Sequence, residues 1–151
     1  MDIGSGQGYP SSALSNFSPH PFVIDGIECA SMEGWLQSLK YSNPDMQIEV
    51  CKLVGKAAKF KGKQKNWYQS QTLWWRGTPI DRRSQDYQDL LDKAYLQLAK
   101  NEGFRKALLA TNDAVLTHEI GKNDESRTVL TKREFCSRLT KLREKIKNKE
   151  I

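Results

Sequence analysis

Glu33, Gln37 and Lys40 lie four and three residues apart, the spacing that stacks side chains along one flank of a helix. A carboxylate, an amide and an ammonium held on a rigid element suit the orientation of a polyhydroxylated substrate. A solvated helix edge would carry the same residues, because such charge patterning commonly serves solubility. A second group is basic and aromatic. Lys52, Lys56, Lys59, Lys61, Lys63 and Lys65 occur with no acid among them, followed by Trp67, Tyr68, Trp74, Trp75 and Arg76. Lysines contact phosphates, and aromatic faces stack on bases for about 1–3 kcal/mol each. A solvated lysine face beside core tryptophans gives the same pattern, and the chain's 4 Trp cannot all be ligand platforms. The third group is His118-Glu119-Ile120-Gly121-Lys122-Asn123-Asp124-Glu125, whose acids either supply a second catalytic carboxylate or form a polar surface loop. Gly4-Ser5-Gly6-Gln7-Gly8 has the composition of a phosphate cradle, but no strand precedes it and no GK[ST] follows. A flexible terminus is the expectation there.

The elements that must position these groups are legible from local signals. Residues up to about Ser18 are rich in Gly, Ser and Pro and read as loop or short turns, with 1–13 as loop. Pro21 to Cys29 reads as a hairpin around Asp25-Gly26, the dipeptide a type I′ turn prefers. Ser31 caps a helix running to about Tyr41, with Met32, Trp35, Leu36 and Leu39 as its apolar stripe. Asn43-Pro44-Asp45 opens another, with Met46, Val50, Leu53 and Val54 as its buried face and Gly55 as its stop. The basic segment to Trp75 has no clear period, and Gly77-Thr78-Pro79 breaks the chain. Ser84 to Lys100 is periodic through Tyr87, Leu90, Leu91, Ala94, Tyr95 and Leu98. A shorter helix carries Phe104, Leu108 and Leu109, and Val115-Leu116-Thr117 reads as a short strand. Thr131-Lys132-Arg133-Glu134 is a capping box that starts a last helix with Phe135, Leu139, Leu142 and Ile146 inside. The expected class is α+β, helix-dominated, one domain with a small hairpin or sheet.

Composition narrows the function classes. A chain of 151 residues suits one domain, and at that size folding buries roughly 70% of the unfolded chain's surface. No apolar stretch approaches the ~18–20 residues of a membrane span, and the N-terminus lacks the pattern of a secretory signal. A cytoplasmic protein without a membrane partner is expected. Cys29, Cys51 and Cys136 are odd in number and widely spaced, which argues against a disulfide framework. With no CxxC pair and only His20 and His118, no metal and no cofactor are expected. The net charge of +6 is compatible with an anionic partner and with plain solubility.

Several of these residues, in order, resemble the NADAR (YbiA-like) family. Leu14-Ser15-Asn16-Phe17-Ser18-Pro19 with Pro21-Phe22 is similar to its LSNF.P.PF opening. Ile24-Asp25-Gly26-Ile27-Glu28, then Ser31-Met32-Glu33, Gln37 and Lys40, are similar to its IDG.E..S.E...Q..K block. Gly55-Lys56-Ala57-Ala58 and Trp67 fall where the family has a Gly-basic element and then a tryptophan. Leu108 to Asp113 resembles LLATGD, and Leu142-Arg143-Glu144 the closing LRE, so the likeness runs from about 14 to 144. Riboflavin-linked bacterial members continue with an acid and a D..WG.G segment. Here residues 116–124 read LTHEIGKND, with His118 near the first acid's place and Asp124 as the candidate for the second. The resemblance therefore implies a separate branch, similar to members that reverse ADP-ribosylation of guanine in nucleic acid.

Taken at face value, the resemblance implies a YbiA-like fold and hydrolysis of a ribose–base N-glycosidic bond. The implied substrate contains ADP-ribose, on nucleic acid in the branch it points to. Glu33 is implied as the carboxylate facing C1′ of ribose or as the base for the attacking water, and Asp124 as the acid for the leaving group. Glu33 sits in a first helical turn, where the dipole favours its ionised form. Asn16, Phe17, Gln37, Lys40, Lys56, Trp67 and His118 are implied as substrate-binding residues. The alternatives are an N-glycosidase on ribosylamino-pyrimidine phosphates of riboflavin synthesis, a non-catalytic NAD or ADP-ribose module, and a plain nucleic-acid binder.

Overall fold

Asp25 and Gly26 both adopt positive φ, 50° and 78°, as the two central residues of a type I′ turn must. In the computed structural model, which describes residues 1–151, they join β1 (Phe22–Ile24) to β2 (Ile27–Cys29), with Phe22 opposite Cys29. Ser31 then caps α2 (Met32–Ser38), its hydroxyl accepting from the Gly34 N–H at 3.1 Å and donating to the Leu53 carbonyl at 2.9 Å. Met32, Trp35, Leu36 and Leu39 are buried as their spacing predicts. The helix ends three residues before the expected Tyr41, and tighter turns carry the chain through Lys40. A β-carbon on Gly34 would stand 2.5 Å from the Leu53 carbonyl, so a glycine is what lets the two segments approach.

Asn43 caps α3 (Pro44–Cys51), accepting from Asp45 and Met46. Its buried face differs from the expected one: Val50 is buried, but Met46 and Val54 are exposed, and Gln47 and Cys51 take their places. Gln47 Nε2 donates to the carbonyls of Ser38 and Trp74, and its Oε1 accepts from the Arg76 N–H. A fully bonded amide can occupy an interior position that apolar periodicity assigns to a hydrocarbon. Gly55 does not stop α3. It opens α4 (Gly55–Lys63), whose buried face consists of the small residues Ala58 and Gly62.

A 3₁₀ turn at Trp67–Gln69 leads into a second hairpin, β3 (Thr72–Trp75) with β4 (Thr78–Asp81). Gly77 makes its turn together with Arg76, and the Pro79 expected to break the chain pairs with Trp74 inside the strand. This two-stranded sheet is all edge, which is where proline is tolerated. Asp25 ties the two hairpins together: it accepts from Trp75 Nε1 at 2.8 Å and pairs with Lys93.

Helices α5 (Gln85–Leu98), α6 (Glu102–Ala110) and α7 (Lys132–Lys147) follow, capped by Ser84, Asn101 and the Thr131–Glu134 box. Tyr87, Leu91, Tyr95, Phe104, Phe135 and Leu139 lie in the single core these helices share with both hairpins. Arg82 is wholly buried and forms a bidentate pair with Glu134, at 3.1 and 2.7 Å. Its Nε donates to the Thr128 carbonyl, and its guanidinium lies over the Tyr87 ring. That network anchors the long α6–α7 connection.

The N-terminal segment is more structured than its composition suggests. Ile3 is fully buried, Ser11–Leu14 forms a helical turn (α1), and Asp2 makes a parallel bridge to Thr117. The strand expected at 115–117 is reduced to that bridge. The architecture is a single α+β domain of seven helices and two small antiparallel sheets. No helix is long and apolar enough to cross a membrane.

Candidate active site

Helix α2 presents its first turn to a cavity of about 390 Å³. That is within the range, roughly 300–1,000 Å³, of small-molecule sites. The N–H of Glu33, one of the helix's orphan donors, is satisfied by the Asn16 carbonyl at 3.0 Å. This bond clamps the 15–18 loop over the helix end. Asn16 Oδ1 accepts from Tyr95 Oη at 2.8 Å, so its amide Nδ2 is left free to donate into the cavity. Tyr95 is buried, and burial lifts its phenol well above the usual range, so it remains a neutral donor.

The Glu33 side chain lines the cavity yet is only 9% exposed. One carboxylate oxygen accepts from Gln37 Nε2 at 2.8 Å, one helical turn on. Burial raises the Glu33 pKa, while the Gln37 bond and the charges of Lys40, Lys59 and His118 pull it down. Burial prevails. The helix end alone favours the anion, but the loss of solvent around this side chain outweighs that preference. Lys40 is affected by the same surroundings. Burial drops its pKa to about 8, with Glu33 opposing the fall and Lys63 adding to it.

Gln37 is seated by α4. A β-carbon on Gly62 would lie 1.7 Å from Gln37 Oε1, so the amide oxygen packs against bare backbone and has no hydrogen-bond partner. His118 also lines the cavity, and its ring nitrogen Nδ1 is 2.6 Å from the Ile3 carbonyl. A carbonyl only accepts, so Nδ1 carries the hydrogen and Nε2 is free for a ligand. The Phe135 ring meets the imidazole edge-on at 5.2 Å. Ile3, placed by the N-terminal bridge, thus sets the tautomer of a cavity histidine.

The cavity brings together Asn16, Phe17, Glu33, Gln37, Lys40, Trp67 and His118. Two residues implied by the resemblance lie elsewhere. Asp124 is exposed, and its carboxylate is taken up by the Ser126 N–H and hydroxyl at 3.0 and 2.7 Å. Those bonds hold its carboxyl below the usual range, the wrong direction for a proton donor. Lys56 is on the outer face of α4 and does not line the cavity.

Lys59 and Lys63 reach the cavity from α4, Lys122 and Arg127 from the α6–α7 connection, and Gly4 and Ser5 from the N-terminus. With Lys40, these put five basic side chains against one acid, Glu33. The basic run in the sequence contained Lys59 and Lys63 and the 118–125 loop contained Lys122, but Arg127 carried no local signal. The arrangement suits a polyanion whose charge lies near the rim and whose neutral part sits over Glu33. No group of three or more His, Cys, Asp or Glu side chains is placed to hold a metal ion.

Residues 8–144 match the family described as Bacteriophage protein GP30.3. The chain belongs to that family. A relative, the "uncharacterized 17.1 kDa protein in Gp30-rIII intergenic region" of Enterobacteria phage T4, is 39% identical over 149 residues. The match covers 97% of this chain and 98% of that protein. Among solved structures, the NMR structure of the E. coli protein YbiA superposes with a TM-score of 0.66. It is 18% identical, and the match covers 98% of this chain and 84% of that one. At that identity the likeness is one of fold: this GP30.3-family chain has a YbiA-like fold.

Proposed function

We propose that the cavity hydrolyses the N-glycosidic bond between ribose and a nucleobase, and that its substrate is ADP-ribose attached to guanine in nucleic acid. The observation that carries this reading is the buried Glu33 carboxylate, set alone among cations in a cavity of ligand size. Departure of the base leaves oxocarbenium character at C1′ of ribose, and an anion beneath the sugar stabilises it. Water supplies the hydroxyl to C1′, Glu33 accepts its proton, and the departing base nitrogen takes a proton from an acid on the other side. A carboxylate with a raised pKa is a stronger base than a solvated one, which suits that role.

His118 is the better candidate than Asp124 for the leaving-group proton: it lines the cavity, and as the imidazolium, with Nδ1–H bound to the Ile3 carbonyl, it carries a second proton on Nε2 to give up. Asn16 Nδ2 and Gln37 orient the ribose or Glu33, while Phe17 and Trp67 pack against rings. Lys59, Lys63, Lys122 and Arg127 fit a diphosphate better than a single phosphate, which favours ADP-ribose over a ribosylamino-pyrimidine phosphate.

Separate incubations with an oligonucleotide ADP-ribosylated on guanine, with NAD and with ribosylamino-pyrimidine phosphates, followed by mass spectrometry, test the proposal. Free ADP-ribose from the oligonucleotide supports it. Release of ribose 5-phosphate alone, or tight ADP-ribose binding with no turnover of any N-riboside, overturns it.

A further inference from the structure

Lys56, Lys59, Phe60 and Lys63 fall at positions i, i+3, i+4 and i+7 of α4 and so form one stripe, opposite the buried Ala58 and Gly62. All four are exposed, Phe60 to 68%, the largest exposure of any aromatic ring in the chain. None of the three lysines forms an ion pair, although six such pairs exist elsewhere in the protein. Lys56 does not serve the helix either: it is in the first turn, where a positive charge opposes the dipole, and α4 has no side-chain cap; of the three lysines only Lys63, in the last turn, suits the dipole. The stripe runs into the cavity, because Lys59 and Lys63 are also rim residues.

We infer that this face of α4 is a binding surface for the single-stranded nucleic acid that flanks the nucleotide held in the cavity. The inference rests on the proposed reading of the cavity as a site for a base-linked ADP-ribose. Lysines paired with no protein acid are available to phosphates, and an exposed ring offers a base a stacking platform. From Lys56 to Lys63 the stripe is about 10 Å long at 1.5 Å per residue. That spans about three nucleotides of a stacked strand at roughly 3.4 Å each. Arg127, which also lines the cavity, lies over the exposed Tyr68 ring, 6.0 Å from its centroid, a further cation–aromatic pair beside the site. A membrane surface fits less well, because one aromatic among three lysines is not the continuous apolar face an interfacial helix needs.

The test is fluorescence anisotropy with an unmodified, labelled single-stranded DNA of about 12 nucleotides, within the roughly 4–16 one binding module covers. The wild-type chain binds with an affinity that falls as salt rises. Phe60→Ala weakens binding about tenfold, in line with the loss of one base stack. Lys56→Glu lowers the salt slope by about 0.7 or more, the share of one single-strand phosphate contact. Neither exposed substitution shifts the thermal midpoint appreciably. Phe60→Ala also raises KM for the ADP-ribosylated oligonucleotide while leaving turnover of ADP-ribosylated guanosine unchanged. Because the probe carries no ADP-ribose, binding and hydrolysis are read separately. The inference is overturned if the wild type does not bind the oligonucleotide, or if both variants bind it as the wild type does. It is also overturned if the losses appear only with phosphatidylserine vesicles.

Discussion

The side-chain oxygen of Gln37 occupies space that a β-carbon on Gly62 would need, 1.7 Å away, while the nitrogen of the same amide holds Glu33 at 2.8 Å. A glycine on one helix therefore fixes the position of a carboxylate on another. Gly62→Ala favours α4 by propensity, by about 1 kcal/mol, yet it must displace Gln37. The expected result is a fall of about tenfold to a hundredfold in kcat, the usual cost of a shift near 1 Å at a reacting group. Steady-state kinetics on Gly62→Ala, and on the same change in a Gln37→Ala background, check this. In the double variant the alanine adds no further loss.

Activity requires Glu33 ionised and Lys40 charged. The rate therefore rises with pH through the elevated Glu33 pKa and falls again near 8, where Lys40 loses its proton. Lys40→Arg keeps the charge at all working pH values, so the fall near 8 that belongs to Lys40 is lost from the pH–rate profile even if the overall rate drops, and what remains of the alkaline limb is the loss of the donor proton. The stability effect has the opposite sense. Between about 8 and the ordinary lysine value of 10.5 the unfolded chain binds the extra proton at this site, so its contribution to folding stability rises with pH there.

His118 and Asp124 make opposite predictions. Replacing His118 by Ala lowers kcat by about 10²–10⁴, the range of a lost general acid. Asp124→Asn leaves kcat within about twofold, since the residue is exposed and bonded to Ser126. Single-turnover rates with the oligonucleotide substrate compare the two directly.

Arg82 tests the scaffold rather than the chemistry. Arg82→Met leaves Glu134 without its bidentate partner and the Thr128 carbonyl without its donor. Breaking one side of such a buried pair costs about 3–5 kcal/mol. Urea denaturation should show that loss, together with weaker ligand binding, since Thr128 and its neighbours form one wall of the cavity.

Local signals were the legible part of the fold. The Asp25-Gly26 turn, the caps at Ser31, Asn43 and Thr131, and the α2 stripe each depend on a few adjacent residues, and they appear where expected. Positions decided by distant partners were not legible. Gln47 is interior because three backbone groups from α2 and the second hairpin meet its amide, and Arg82 because Glu134 lies 52 residues away. The second hairpin hid behind Pro79, which signals a break unless the strand is an edge. Within the site, the helical spacing of Glu33, Gln37 and Lys40 was enough to place them on one helical flank, but not to tell a cavity-lining flank from a solvated one. Which lysines of the basic run face it could not be read, because α4 packs through Ala58 and Gly62, residues too small to mark a face by hydrophobicity. Lys59 and Lys63 therefore reach the rim while Lys56 does not.

The most direct measurement is the release of ADP-ribose from a guanine-ADP-ribosylated oligonucleotide by the wild type and by Glu33→Gln, followed by chromatography. The amide keeps the shape and a hydrogen-bonding oxygen but removes the negative charge and the basic site. The account predicts release by the wild type and a loss of about 10²–10⁴ in rate for Glu33→Gln, with the thermal midpoint kept or raised once a desolvated carboxylate is gone. Undiminished release by Glu33→Gln would contradict it.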